Sequence, residues 1–163
     1  MRTANTIVRI AGKHARFTWR KPMTDESTRV AFHLDRDPVL LSAVHCAVQY
    51  QASRANLEEK SCAEFAKVTE GVCREALSHL TDADDGLDVT LDTFPDRIEV
   101  SIRHHGQLVP AVGLETFTTP NTHESGNTRL SGIQLLSCVD RVSFNAEDGV
   151  AHTMLVKFLR PKN

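Results

Sequence analysis

Two polar residues that can take part in acid–base or metal chemistry continue an apolar stripe on a predicted helix. The stripe runs through Phe65, Val68 and Val72 at helical spacing, and the next positions on the same face are Glu75 and His79. A carboxylate at such a position needs a hydrogen-bond partner or water, because an isolated buried charge is destabilising. The pair is therefore either a functional site or a solvated rim at the end of the helix.

A third candidate residue lies on a predicted strand. Apolar residues alternate along 97–103, and the same parity assigns His104 to the apolar face and His105 to the opposite face. If this strand packs on the helix that carries Glu75 and His79, a carboxylate and two imidazoles converge and could bind a transition metal such as zinc or nickel. Hydrogen-bonded histidines that only fill space between the layers are the alternative interpretation.

Two long helices are predicted to position these residues. The first runs from about Pro38 to Arg54, because Asp37 supplies an N-cap and proline favours the first helical position. Its apolar stripe comprises Leu41, Val44, Val48 and Ala52. The second helix is predicted to begin at the capping box Ser61-Cys62-Ala63-Glu64 and to end near Leu80.

The remaining periodic segments predict strands around these helices. They are a hairpin at 6–11 and 15–20 with Phe17 and Trp19 on one face, a strand at 29–34, two strands at 87–91 and 97–103, and a terminal hairpin around Glu147-Asp148-Gly149. A further helix is predicted over 129–139, with Leu130, Ile133, Leu136 and Val139 as its apolar stripe. The order of elements predicts an α+β two-layer sandwich, with a mainly antiparallel sheet and helices on one face.

The segment 106–127 is rich in Thr, Gly, Pro and Asn. A loop of this length inside a small domain is more often a functional lid than a plain connector, although a loop released from constraint is the equal alternative. The whole chain is predicted to be a single domain spanning 1–163, in which 1–25 forms an N-terminal hairpin extension. That hairpin, with Phe17 and Trp19, is the candidate contact for a partner or for self-association.

Composition narrows the function classes further. The chain has 163 residues, 40% hydrophobic and 25% charged, with a formal net charge of -2, so no excess positive charge favours nucleic acid or an anionic membrane as partner. The four cysteines contain no C-x-x-C pair and lie in apolar helical patterns, which predicts buried free thiols in a reducing compartment. With no signal or membrane-spanning stretch recognised, the prediction is a cytoplasmic protein.

Several local strings resemble the GHKL (histidine-kinase-like) ATPase superfamily, in particular its small anti-sigma factors that act as serine kinases in bacterial partner switching. The similarity covers roughly 28–159. V-C-R-E-A-L-S-H at 72–79 resembles the N-box helix with its E-A-L-x-N core, and L-L-S-C-V-D-R-V-S-F at 135–144 is similar to the helix and strand that follow the lid. E-V-S-I-R-H-H-G at 99–106 occupies the place of the family motif D-x-G-x-G. The resemblance implies a Bergerat-type fold.

The resemblance also implies roles for the two helical candidates. Glu75 occupies the position of the family glutamate that activates the attacking nucleophile, so it is the candidate catalytic residue. His79 stands where the family has the asparagine that holds Mg²⁺ against the triphosphate. Imidazole suits zinc, copper, iron or nickel, whereas Mg²⁺ prefers oxygen ligands, so the change weakens the expected metal site.

The implied nucleotide-binding positions are altered as well. His104 replaces the aspartate that accepts a hydrogen bond from the adenine amino group, and a protonated histidine could not accept one. Gly106 keeps the first glycine of the motif, while Leu108 fills the place of the second, where the backbone must approach the ligand closely. The final lid turn, G-x-G-L in relatives, is Arg129-Leu130-Ser131-Gly132 here, so the backbone amides that would cradle phosphate around Gly132 lose their permissive glycines.

Because most nucleotide-contacting positions have changed while the apolar periodicity is intact, the sequence favours a degenerate member that binds proteins and has weakened or lost ATP binding. The resemblance implies a sigma factor or a STAS-type anti-sigma antagonist as partner, and a homodimer. The alternative is an active ATP-dependent serine kinase, with ATP and Mg²⁺ as cofactors and Glu75 orienting the serine hydroxyl. The second alternative is a metal-binding sensor that uses His79 and His104.

Overall fold

The structure is a computed structural model that describes residues 4–10, 13–20, 27–80, 86–105 and 136–159, with the first two ranges described by their backbone. The strands in this part of the chain are β1 Ala4–Ile10, β2 Lys13–Arg20, β3 Thr28–Leu34, β4 Leu87–Thr93, β5 Arg97–His105, β6 Arg141–Glu147 and β7 Val150–Phe158. The helices are α1 Leu41–Arg54, which follows a 3-10 turn at Pro38–Leu40, and α2 Glu59–Ser78. Residues 136–138 are also helical.

The described strands form one seven-stranded sheet in the order β1-β2-β3-β4-β5-β7-β6. Every neighbouring pair is antiparallel. The central strands bury alternate residues, which is the pattern expected where one face of a sheet packs on helices and the other meets solvent. The predicted α+β sandwich with helices on one face is confirmed.

Helix α1 follows its sequence signals closely. The Asp37 side chain accepts a hydrogen bond of 3.1 Å from the Val39 N–H at the start of the 3-10 turn, as the predicted N-cap requires. All members of its predicted apolar stripe are fully buried, namely Leu41, Val44, Val48 and Ala52. This stripe fixes the face of α1 that packs into the core beside α2.

Helix α2 differs from its prediction at the start. The helix begins at Glu59 with Glu58 as N-cap, and no side chain makes a capping hydrogen bond, so the predicted capping box at Ser61 is wrong. The first turn is closed instead by the Cys62 N–H, which donates to the Glu58 carbonyl at 2.8 Å. Glu59 favours this earlier start, because a carboxylate near a helix N-terminus interacts favourably with the helix dipole.

The hairpins agree with the turn signals. Residues 94–96 connect β4 to β5, and the Phe94 N–H donates to the Arg97 carbonyl at 2.8 Å. Asp148 and Gly149 connect β6 to β7 with φ angles of 53° and 77°. Two consecutive positive φ values are typical of a type I′ turn, for which Asp-Gly is a preferred sequence.

Some predicted burial is wrong. Cys62 and Cys73 are buried, but Cys46 is exposed on α1 and Cys138 is partly exposed. Leu136 is exposed although it belongs to a predicted apolar stripe, whereas Val139 is buried as expected. The predicted lid at 106–127, most of the helix predicted over 129–139, and the side chains of the N-terminal hairpin lie outside the described residues.

Burial also changes the chemistry of two thiols. The pKa of the Cys62 thiol is raised, chiefly because burial disfavours the thiolate. The same cause raises the pKa of Cys73 further, and the nearby Glu70 carboxylate adds to the effect. Both thiols are therefore protonated and inert near neutral pH.

In the described ranges, no helix combines the length and apolar character that a membrane crossing would need.

Candidate functional site

The candidate residues Glu75 and His79 lie together at the C-terminal end of α2. Glu75 Oε1 is 3.5 Å from His79 Nε2, and the two side chains are 23% and 37% exposed. His79 is the C-cap of the helix, and its N–H donates to the Ala76 carbonyl at 3.1 Å. The helical spacing thus brings the carboxylate and the imidazole side by side at the rim of the core, as predicted.

His104 lies on the buried face of β5. The ring is 3% exposed, while the neighbouring His105 is exposed on the opposite face, which confirms the parity predicted from the sequence. His104 is registered between Leu87 of β4 and Ala151 of β7, both of which are buried. The residue therefore occupies a buried position on an interior strand, close to the end of β5.

A hydrogen bond holds the His104 ring against its own strand. Its Nδ1 lies 3.3 Å from the His105 carbonyl oxygen, which can only accept, so Nδ1–H is the donor in this contact. The imidazole is thus bonded to the next residue of β5 and is almost fully shielded from solvent.

The convergence of Glu75, His79 and His104 on a metal ion is not seen. All three residues are described, and within the described residues no three His, Cys, Asp or Glu side chains are grouped so that they could hold a metal ion. Two of the three lie at a helix end and the third is enclosed in the sheet. The predicted nucleotide positions Gly106, Leu108 and Gly132 lie outside the described residues.

A polar network between the two helices was not predicted. His45 Nδ1 of α1 lies 2.9 Å from Glu70 Oε2 of α2, and Arg74 also contacts the Glu70 carboxylate. The two partners of Glu70 come from different helices, so the carboxylate links them beside the apolar core. The Glu70–Arg74 spacing is visible in the sequence as an i,i+4 pair. The His45 contact depends on how the helices pack, which the sequence pattern does not specify.

A second unpredicted contact lies on the outer face of the sheet. Ser101 Oγ of β5 is 2.7 Å from His152 Nε2 of β7, and Arg103 is registered opposite His152. Burial lowers the pKa of His152, and the positive charge of Arg103 lowers it further. A neutral imidazole can accept the serine hydroxyl proton through Nε2, so the lowered pKa and the hydrogen bond are mutually consistent.

His152 is expected to make folding pH-dependent. Because its pKa is lower in the folded chain than in the unfolded chain, the unfolded state binds more protons, and stability falls as pH drops through about 6.5. A His152→Gln variant should lose less stability between about pH 7.5 and pH 5.5 than the wild-type chain. Urea unfolding at both pH values measures the difference, and an NMR titration that gives His152 a pKa above its usual value would contradict this account.

Comparisons with known proteins do not assign a family. A scan against models of known protein families gives no match. A search of curated proteins finds none with significant similarity.

Proposed function

We propose that this protein is a cytoplasmic regulator that acts by binding another protein, in the manner of anti-sigma factors in bacterial partner switching, and that its ATP binding is weakened or lost. The partner would be a sigma factor or a STAS-type anti-sigma antagonist. The observed order of two helices between β3 and β4, and a terminal hairpin after β5, agrees with the element order on which the resemblance depends. The burial of His104 is the observation that carries the proposal.

The adenine position supports a loss of nucleotide recognition. In the resemblance, His104 takes the place of an aspartate that accepts from the adenine amino group. Here the imidazole is 3% exposed and its Nδ1 is directed to the carbonyl of its own neighbour, His105. A side chain enclosed between Leu87 and Ala151 contributes to packing more readily than to ligand recognition.

The metal position supports the same conclusion. His79 takes the place of an asparagine whose oxygen would bind Mg²⁺, and its Nε2 instead lies 3.5 Å from the Glu75 carboxylate. Mg²⁺ prefers oxygen ligands in octahedral geometry, so an imidazole is a poor replacement for the asparagine oxygen. Glu75, the residue that would activate a nucleophile, has this imidazole as its neighbour.

The described part of the scaffold, in contrast, is well packed. Fully buried side chains come from both helices and from the central strands, with Phe65, Leu34 and Ile102 among the largest. Packing of this kind holds the fold independently of a few polar contacts to a ligand. An intact scaffold with altered polar positions is what we expect of a protein whose function lies on its surface.

Calorimetric titration with ATP and ADP in the presence of Mg²⁺ tests the proposal. We expect no saturable binding at nucleotide concentrations up to about 1 mM, a limit that corresponds to a binding free energy of about -4 kcal/mol. Complex formation with a sigma factor or STAS protein encoded next to its gene, followed by size-exclusion chromatography, is expected to occur equally with and without ATP.

The matched variants are His104→Ala and His105→Ala, which remove neighbouring histidines from opposite faces of β5. Micromolar ATP binding that is lost in His104→Ala and kept in His105→Ala would contradict the proposal. That result would favour the serine kinase, with Glu75 as the base, because Glu75 remains partly exposed at the end of α2.

A further inference from the structure

Strand β6 forms one edge of the described sheet. It pairs with β7 on one side, and among the described strands none pairs with its other side. Only Val142 of its residues is partly buried, and the others are exposed. An exposed edge of this kind offers unpaired backbone donors and acceptors to another strand.

The turn between β6 and β7 determines which backbone groups face outward. In a hairpin with a two-residue turn, the flanking residues, here Glu147 and Val150, form a hydrogen-bonded pair. Alternate residues of β6 therefore bond to β7, and the residues between them direct their N–H and C=O groups to the open edge. These outward residues are Val142, Phe144 and Ala146.

The edge strand is continuously paired with β7 and held at both ends. Its register with β7 runs without a skipped residue from Arg141 opposite Val156 to Glu147 opposite Val150. Before the strand, Asp140 donates its backbone N–H to the Val156 carbonyl at 2.9 Å, and its side-chain carboxylate accepts from the Phe158 N–H at 2.7 Å. Natural edge strands are commonly blocked by a bulge, a proline or a charge in the middle. β6 has none of these between its terminal residues.

The charges of β6 lie only at its ends, with opposite signs. We propose that β6 pairs in antiparallel fashion with β6 of a second copy of this chain, centred on Phe144. In this register Arg141 lies opposite Glu147 of the second copy, and the reverse pair forms by symmetry. Between them, Val142 meets Ala146 and Ser143 meets Asn145 of the second copy, so charged, apolar and polar residues each meet a compatible partner.

The alternatives are less favourable. Parallel pairing would place Arg141 against Arg141 and Glu147 against Glu147, and like charges directly opposite each other are destabilising. The proposed register also places the outward residues Val142, Phe144 and Ala146 in hydrogen-bonded pairs, with about six backbone hydrogen bonds between the chains. The contact uses the same surface on both copies, so it closes at a dimer and does not propagate.

Sedimentation equilibrium from about 1 µM to about 500 µM, the range in which small interfaces dissociate, tests the proposal. The wild-type chain should show a monomer–dimer equilibrium. An R141E substitution places two glutamates opposite each other at both ends and should raise the dissociation constant about tenfold. The double variant R141E/E147R exchanges the charges within each pair and should restore dimerisation to near the wild-type level.

Two further variants separate this interface from others. Ala146→Pro removes an N–H that faces outward, so the ladder to β7 stays intact while the dimer is lost. Lys67→Glu makes the same charge change as R141E at an exposed position on α2 and should have no effect. A wild-type chain that stays monomeric over the whole concentration range would overturn the proposal. So would a dimer that persists in both R141E and Ala146→Pro, or a double variant R141E/E147R that fails to restore dimerisation. Loss of the dimer in Trp19→Ala alone would place the interface elsewhere and would also overturn it.

Discussion

Replacing Phe65 by alanine is expected to lower the free energy of unfolding by about 3–5 kcal/mol. Phe65 is 0% exposed and belongs to the buried face of α2, which packs on both α1 and the sheet. Its ring fills space that neither the helices nor the strands can close without moving, so the substitution loses both its burial and its packing. Urea unfolding followed by circular dichroism measures the change.

The matched control is Phe158→Ala, at the end of β7. Phe158 is 51% exposed, so its removal should cost less than about 1 kcal/mol. Similar losses in the two variants would show that α2 does not pack as described. A change in the slope of the free energy of unfolding against urea concentration would instead indicate that the native or unfolded state has become more or less compact. The slope is therefore compared together with the midpoint.

Replacing His104 by aspartate is expected to cost about 3 kcal/mol near pH 7, because a carboxylate would be buried at a position that is 3% exposed. Burial would raise the pKa of the introduced carboxyl above its ordinary value of about 3.9. As pH rises, the introduced carboxyl would ionise at a lower pH in the unfolded chain than in the folded chain. The free energy of unfolding should therefore fall as pH increases from about 4 to 7. Unfolding curves at a series of pH values report this slope.

His104→Asn provides the neutral comparison, since it lacks the ionisable group and should not show the same pH slope. His105→Asp provides the positional comparison, because that residue is exposed on the other face of β5. If His104→Asp were as stable as the wild-type chain at pH 7 and bound ATP, the position would be an open adenine site. That outcome would contradict the assignment of His104 to the core.

The periodic part of the fold could be predicted from the sequence. The alternation along β5 assigned His104 and His105 to opposite faces, and the helical stripe of α1 identified its buried residues. The spacing of Glu75 and His79 likewise predicted their proximity. These successes share a cause, since each depends on the repeat of a single element and not on how elements meet.

Other features depended on contacts between elements and could not be predicted in this way. Cys46 is a different case, because it was predicted to be buried although helical spacing places it on the side of α1 away from the stripe of Leu41, Val44 and Val48, where it is exposed. The Ser101–His152 contact requires the register of β5 against β7, and the His45–Glu70 contact requires the packing of α1 on α2. The convergence of the three candidate residues likewise depended on how α2 packs on β5, and the described residues contain no group of this kind that could hold a metal ion.

The position of β7 between β5 and β6 has a consequence for the folding kinetics. The β6–β7 hairpin is a local structure that can form on the microsecond timescale, whereas the pairing of β7 with β5 joins residues as distant as Arg97 and Phe158. Closing this long connection is the step that topology makes slow.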